Sequence, residues 1–168
     1  LESLKAPQQT IDRLKKEKKY QQLGEVYSSM QKYKEAGWAF YKAGDLKRSA
    51  TEYAKAGKTY LSAKLLLKAG EPLQSANLLA SIGKHKTAGK WLEKYGYKEE
   101  ASFYWWEAGY KDKAIKIWIE VLQNPNSTLE KKSQICNKIV QLIYKYGTSA
   151  IPDKTKNQLI RLLINQLV

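Results

Sequence analysis

Large, small and polar residues recur along this chain with a period of 13. Glycine marks the period: Gly44, Gly57, Gly70, Gly83, Gly96 and Gly109 are evenly spaced by 13 residues. With each Gly set at position 13, eight units begin at Lys19, Lys32, Asp45, Lys58, Glu71, Lys84, Tyr97 and Tyr110. Gln31 and Leu122 take the place of the glycine in the first and last units. Position 9 is always large: Tyr27, Phe40, Tyr53, Leu66, Leu79, Leu92, Trp105, Trp118. Positions 5 and 6 are mostly small, as in Ala36-Gly37, Ser49-Ala50 and Ser62-Ala63, and position 12 is often Ala. Positions 5, 9 and 12 share one face of an α-helix. The small pair lets a neighbouring helix come close, and the large residue fills the space beside it.

Each unit therefore predicts a helix of about ten residues and a turn of about three. Glycine at position 13 suits a left-handed helix stop, because it has no Cβ to penalise positive φ. Pro72 falls in the first turn of its unit, where its missing N–H costs little. Asp45 and Glu71 open their helices, as the macrodipole prefers. Helices this short are unstable alone in water, so they must stack antiparallel on one another as an all-α solenoid. Residues 1–18 predict an N-terminal capping helix, amphipathic over 4–17, and residues 19–122 the eight units. The run "QNPNST" then breaks the array, and residues 123–168 predict two longer capping helices. The first is Leu129–Tyr146, with Ile135, Ile139, Leu142 and Ile143 on one side. The second spans 154–168, with Leu159, Leu162, Leu163 and Leu167 apolar.

The pattern Gly-x4-small-x3-large-x2-Ala, met in Gly44, Ser49, Tyr53, Ala56 and again in Gly96, Ala101, Trp105, Ala108, resembles the second helix of a tetratricopeptide repeat. Two units make 26 residues here instead of 34, so the array is TPR-like. Runs such as "YKAG" and "YAKAG" look like the helical tails of intraflagellar-transport and coatomer-type trafficking subunits, and like bacterial TPR-like scaffolds. The resemblance implies a right-handed α-solenoid that binds proteins within a larger assembly, and it carries over no catalytic residue.

Composition adds a strong charge. The chain has 168 residues and a net charge of +14. Lys42, Lys55, Lys68 and Lys94 stand at position 11, where a cation offsets the negative helix end by about 0.3–1 kcal/mol. The remaining lysines are uneven. Positions 3, 7 and 11 form a stripe beside the packing residues, and in an antiparallel stack alternate helices line opposite faces. Across these stripes the even-numbered units carry eight Lys and two acids, the odd-numbered units two Lys and three acids. Lys64, Lys90 and Lys116 recur at position 7, where helix-end capping cannot explain them. The even units thus present a candidate basic face of Lys34, Trp38, Tyr60, Lys64, Lys86, Lys90 and Lys116, set against a merely solubilising lysine face.

"FYWWEAGY" places Trp105 and Trp118 in the core and leaves Phe103 and Trp106 open. They either anchor a partner or pack against residues 129–146. Catalysis finds little support. His85 is the single His, expected at an exposed helix start, and Cys136 the single Cys, expected as a small buried residue. These two cannot assemble a common zinc site. No P-loop, dinucleotide fingerprint or nucleophile elbow occurs, so neither an enzyme nor a cofactor or metal is expected. No apolar run approaches the length of a membrane span, and no signal peptide opens the chain. The expected location is intracellular and cytoplasmic, and the leading "LE" suggests a piece of a longer protein. Two functions remain: a protein-interaction scaffold whose partners include acidic ones, or a binder of nucleic acid or another polyanion through the lysine face. The cations are Lys with only Arg13, Arg48 and Arg161 among them, which favours the first, because Arg is the better phosphate reader.

Overall fold

The computed structural model describes residues 2–167, and the side chains of residues 7–166. Among them are eleven α-helices and no strand: α1 (Glu2–Lys16), α2 (Tyr20–Ser29), α3 (Tyr33–Lys42), α4 (Leu46–Lys55), α5 (Thr59–Lys68), α6 (Pro72–Ser81), α7 (His85–Lys94), α8 (Lys98–Glu107), α9 (Lys111–Gln123), α10 (Leu129–Tyr146) and α11 (Asp153–Leu167). The helices form two compact units, divided after Gly83. In the first, each helix from α1 to α6 packs on the next; in the second, α7, α8 and α9 do the same and α10 and α11 close on α9. The even units of the sequence pattern are α3, α5, α7 and α9.

From α2 to α8 every helix occupies positions 2 to 11, and the turns are built alike. Within each compact unit the N–H of position 1 donates to the carbonyl of position 9 across the turn, as Asp45 does to Phe40 and Lys58 to Tyr53. This closure requires position 13 in the left-handed region, and Gly57 sits there at φ 72°. Lys18 and Gln31 hold the same conformation at φ 55° and 56° without being glycine. Lys18 lies 13 residues before Gln31, so α1 follows the repeat as well. One expectation needs correcting. Position 12 lies beyond the last helical residue and is the cap, so its alanines are half-buried or exposed. The buried stripe is positions 5, 6, 8 and 9, and Tyr53 and Leu66 at position 9 are only half-buried.

Side-chain partnerships fix the helix directions. Lys55, at the end of α4, stands over the ring of Tyr33 at the start of α3. Neighbours are therefore antiparallel. Lys68 at the end of α5 stands over Tyr41 at the end of α3, so alternate helices are parallel. Within the first unit the interhelical contacts follow a size rule. A Cβ added to Gly24 would lie 2.8 Å from the ring of Phe40, and one on Gly37 2.9 Å from that of Tyr53. Where position 6 is Ala50 or Ala63, the residue 16 further on is Leu66 or Leu79. The position-5 serines add a polar ladder: Ser49 donates to the Gly37 carbonyl at 2.7 Å, Ser62 to Ala50 at 2.6 Å and Ser75 to Ala63 at 2.7 Å. These hydroxyls are buried yet satisfied, which a buried polar group requires.

In the second unit Gly89 meets the ring of Trp105 in the same way. Ser102 accepts a 2.7 Å hydrogen bond from the indole N–H of Trp118. Ile135 and Ile139 of α10 and Leu159 and Leu163 of α11 are buried; Leu142, Ile143 and Leu162 are half-buried, and the side chain of Leu167 lies outside the described residues. Cys136 is buried, and burial pushes its thiol pKa up.

Candidate functional site

The predicted stripe residues divide by how their charges are used. In the first unit, α2, α4 and α6 are laced together. Arg48 pairs with Glu25 of α2 at 3.1 Å and lies 3.6 Å from Asp45, while Gln21 donates to Asp45. Lys47 pairs with Glu71, which precedes α6. Lys55 pairs at 2.7 Å with Glu52, which is buried. Every Lys or Arg within these three helices is thus held by a carboxylate. Glu52 at position 8 was invisible to the glycine-and-size pattern, since its neighbours at that position include Ala39 and Leu65.

The other face of the same unit differs. Lys34 and Lys42 on α3 and Lys64 on α5 are exposed and meet no hydrogen-bonding or ion-pair partner among the described residues. Lys68 rests on the ring of Tyr41, 5.5 Å from its centroid. Trp38 is 39 % exposed, its ring edge-on to Tyr20 at 5.7 Å, and Tyr60 is 44 % exposed. Lys32 and Lys58 form the N-caps of α3 and α5 and make no side-chain cap. A cation there opposes the helix dipole, whereas Asp45 caps α4 by accepting from the Arg48 N–H. Helix stability therefore accounts for Lys42 and Lys68 in the last turns but not for Lys32, Lys34, Lys58 or Lys64.

In the second unit Lys90 and Lys116 are exposed at position 7. Lys86 donates to the Tyr110 hydroxyl and stands over its ring, and this hydrogen bond holds the Tyr110 pKa below the ordinary value. Lys98 of α8 pairs with Glu120 of α9 at 2.7 Å and lowers the Glu120 carboxyl; Lys113 pairs with Glu93 at 2.9 Å. The lysines of this unit are accordingly more engaged than those on α3 and α5.

The aromatic candidates resolve differently. Trp106 is 5 % exposed, packed on Trp118 at 5.3 Å with Lys111 over its ring. As an exposed anchor it is corrected: α9 buries it. Phe103 is half-buried, stacked on Trp118 at 5.5 Å and covered by Lys138 of α10. His85 is also half-buried, not exposed, as the first residue of α7. No group of three or more His, Cys, Asp or Glu suited to a metal occurs among the described residues, and none of the described helices is long and apolar enough to cross a membrane.

The fold and its faces define a helical-repeat protein. No protein-family model, curated protein or solved structure matches the chain.

Proposed function

We propose that this chain is a non-catalytic protein-interaction scaffold that presents its helical-repeat surface, basic on the even units, to protein partners in a larger assembly. One observation carries the reading. The three cations of the α2, α4 and α6 face all stand on α4 and are each held by a carboxylate, Lys47 and Arg48 across to Glu71 and Glu25 and Lys55 within the helix to Glu52, whereas Lys34, Lys42 and Lys64 on α3 and α5 are left unpaired. Unpaired like charges repel one another, no helix end offsets that cost at Lys34 or Lys64, and stacked helix pairs offer extended surfaces for peptides and helices. A trafficking assembly is the setting suggested by the resemblance to the helical tails of transport subunits.

Polyanion binding is the competing use of the same lysines, and salt separates the two. Affinity capture with the purified chain is run at about 50 and about 200 mM salt, where a nucleic-acid contact weakens steeply. A scaffold retains a protein at both, insensitive to nuclease, and loses it in the Lys64→Glu/Lys90→Glu/Lys116→Glu variant. Retention of nucleic acid alone, released at the higher salt, would overturn the reading.

A further inference from the structure

Lysines on a protein surface are ordinarily unremarkable. Those on α3 and α5 stand out because the same unit shows what its cations do when the fold needs them. On the opposite face each is neutralised, at 2.7 Å for Lys55–Glu52 and 3.1 Å for Arg48–Glu25. On α3 and α5 the one helical carboxylate is Glu35, in the first turn of α3, where the dipole favours an acid. The Lys68–Tyr41 contact sets the two helices parallel and brings their ends together, so their stripes face the same way. Lys34 and Lys42 lie about 12 Å apart along α3 at 1.5 Å per residue. Lys64 lies on the alternate helix, across the surface from them. Trp38 and Tyr60 add partly exposed rings between and beside these charges.

Resting on the scaffold reading above, we propose that the α3–α5 face is a docking site for an acidic polypeptide segment. Its carboxylates pair with Lys34, Lys42 and Lys64, and its apolar side chains lie against Trp38 and Tyr60. Charge complementarity selects the occupant, and the kind of cation selects its class. No Arg stands on this face to read phosphates bidentately, and the ring of Tyr41 already carries Lys68 where a base would stack. A short segment with a few carboxylates needs only what is present.

The test uses a fluorescently labelled peptide of three Glu-Glu-Leu-Leu blocks, its Gln-for-Glu counterpart and an oligo-dT of equal length. Anisotropy is read on the full chain and on two double variants, Lys34→Glu/Lys64→Glu and Lys90→Glu/Lys116→Glu, with far-UV circular dichroism confirming their fold. Lys34→Gln/Lys64→Gln replaces the first variant if charge reversal unfolds it. The acidic peptide is expected to bind, and the α3–α5 variant to weaken it about tenfold or more, since losing charge partners acts on both encounter and lifetime. The Lys90/Lys116 variant is expected to change it by less than about threefold, and the Gln peptide and oligo-dT to bind about tenfold more weakly. Loss confined to the Lys90/Lys116 variant, or no peptide binding while affinity capture still retains a protein, overturns this site and leaves the scaffold reading standing. Oligo-dT binding as tightly as the peptide, with the same lysine dependence, overturns both.

Discussion

At the scale of single residues, the turn glycines have one physical job. A Cβ built on Gly57 meets nothing within 4 Å, so the position is open in space and constrained only by its φ of 72°. Replacing it by Ala therefore isolates the left-handed penalty, and Gly57→Ala is expected to lower unfolding free energy by about 1–2 kcal/mol. The reverse change at Gln31, which already bears that penalty at φ 56°, is expected to stabilise by a smaller amount, because glycine also gains freedom in the unfolded chain. Chemical denaturation of both variants checks the pair; equal stability of Gly57→Ala and the parent would remove the conformational role. The sequence disclosed the glycines because their spacing is regular. It put Gln31 at the same position without revealing its left-handed backbone, and it hid Lys18 altogether, because neither side chain says anything of its φ.

At the scale of elements, helix contact is governed by complementary sizes 16 residues apart. Gly24 faces Phe40 so closely that a Cβ would fall 2.8 Å from two ring atoms and 2.9 Å from a third. Phe40 is buried and cannot swing into solvent. Gly24→Ala gains helix propensity of about 1 kcal/mol but overpacks the contact, at a cost of about 1–3 kcal/mol. Net destabilisation is expected, and adding Phe40→Leu, which restores the Ala–Leu pairing seen at Ala50 and Leu66, should recover part of it. A double-mutant cycle reads the coupling, expected at about 0.5 kcal/mol or more; additive effects would refute the size rule. The small residues at positions 5 and 6 were legible as a packing face. The serine ladder was not, because a Ser hydroxyl and an Ala methyl look equally small until the carbonyl opposite is known. Trp106 failed for a similar reason: position 10 is half-buried in most repeats, and the packing of Trp118 and Lys111 around it completes its burial.

At the scale of the whole molecule, charge dominates. A net +14 raises the energy of the compact state through self-repulsion, while exposed ion pairs such as Lys98–Glu120 each return at most about 1 kcal/mol. Screening shortens the reach of the repulsion to about 10 Å at 0.1 M salt. The thermal midpoint is therefore expected to rise between low and moderate sodium chloride. A fall would show that the ion-pair lacing of α2, α4 and α6 outweighs the surplus lysines.

The sequence by itself determined the repeated helices, their length and their stops, and placed positions 5 and 9 on the face they bury. A 13-residue period, a residue free to adopt positive φ and a helix too short to stand alone leave few other solutions. It also located the lysine excess on alternate helices, since antiparallel stacking follows from short turns. What only the tertiary structure decided was which of those charges are spent. Ion pairing joins residues more than 20 positions apart, such as Arg48 with Glu25, through the packing of alternate helices. No local pattern records that distance, and the difference between a laced face and a free one exists only once the stack is formed.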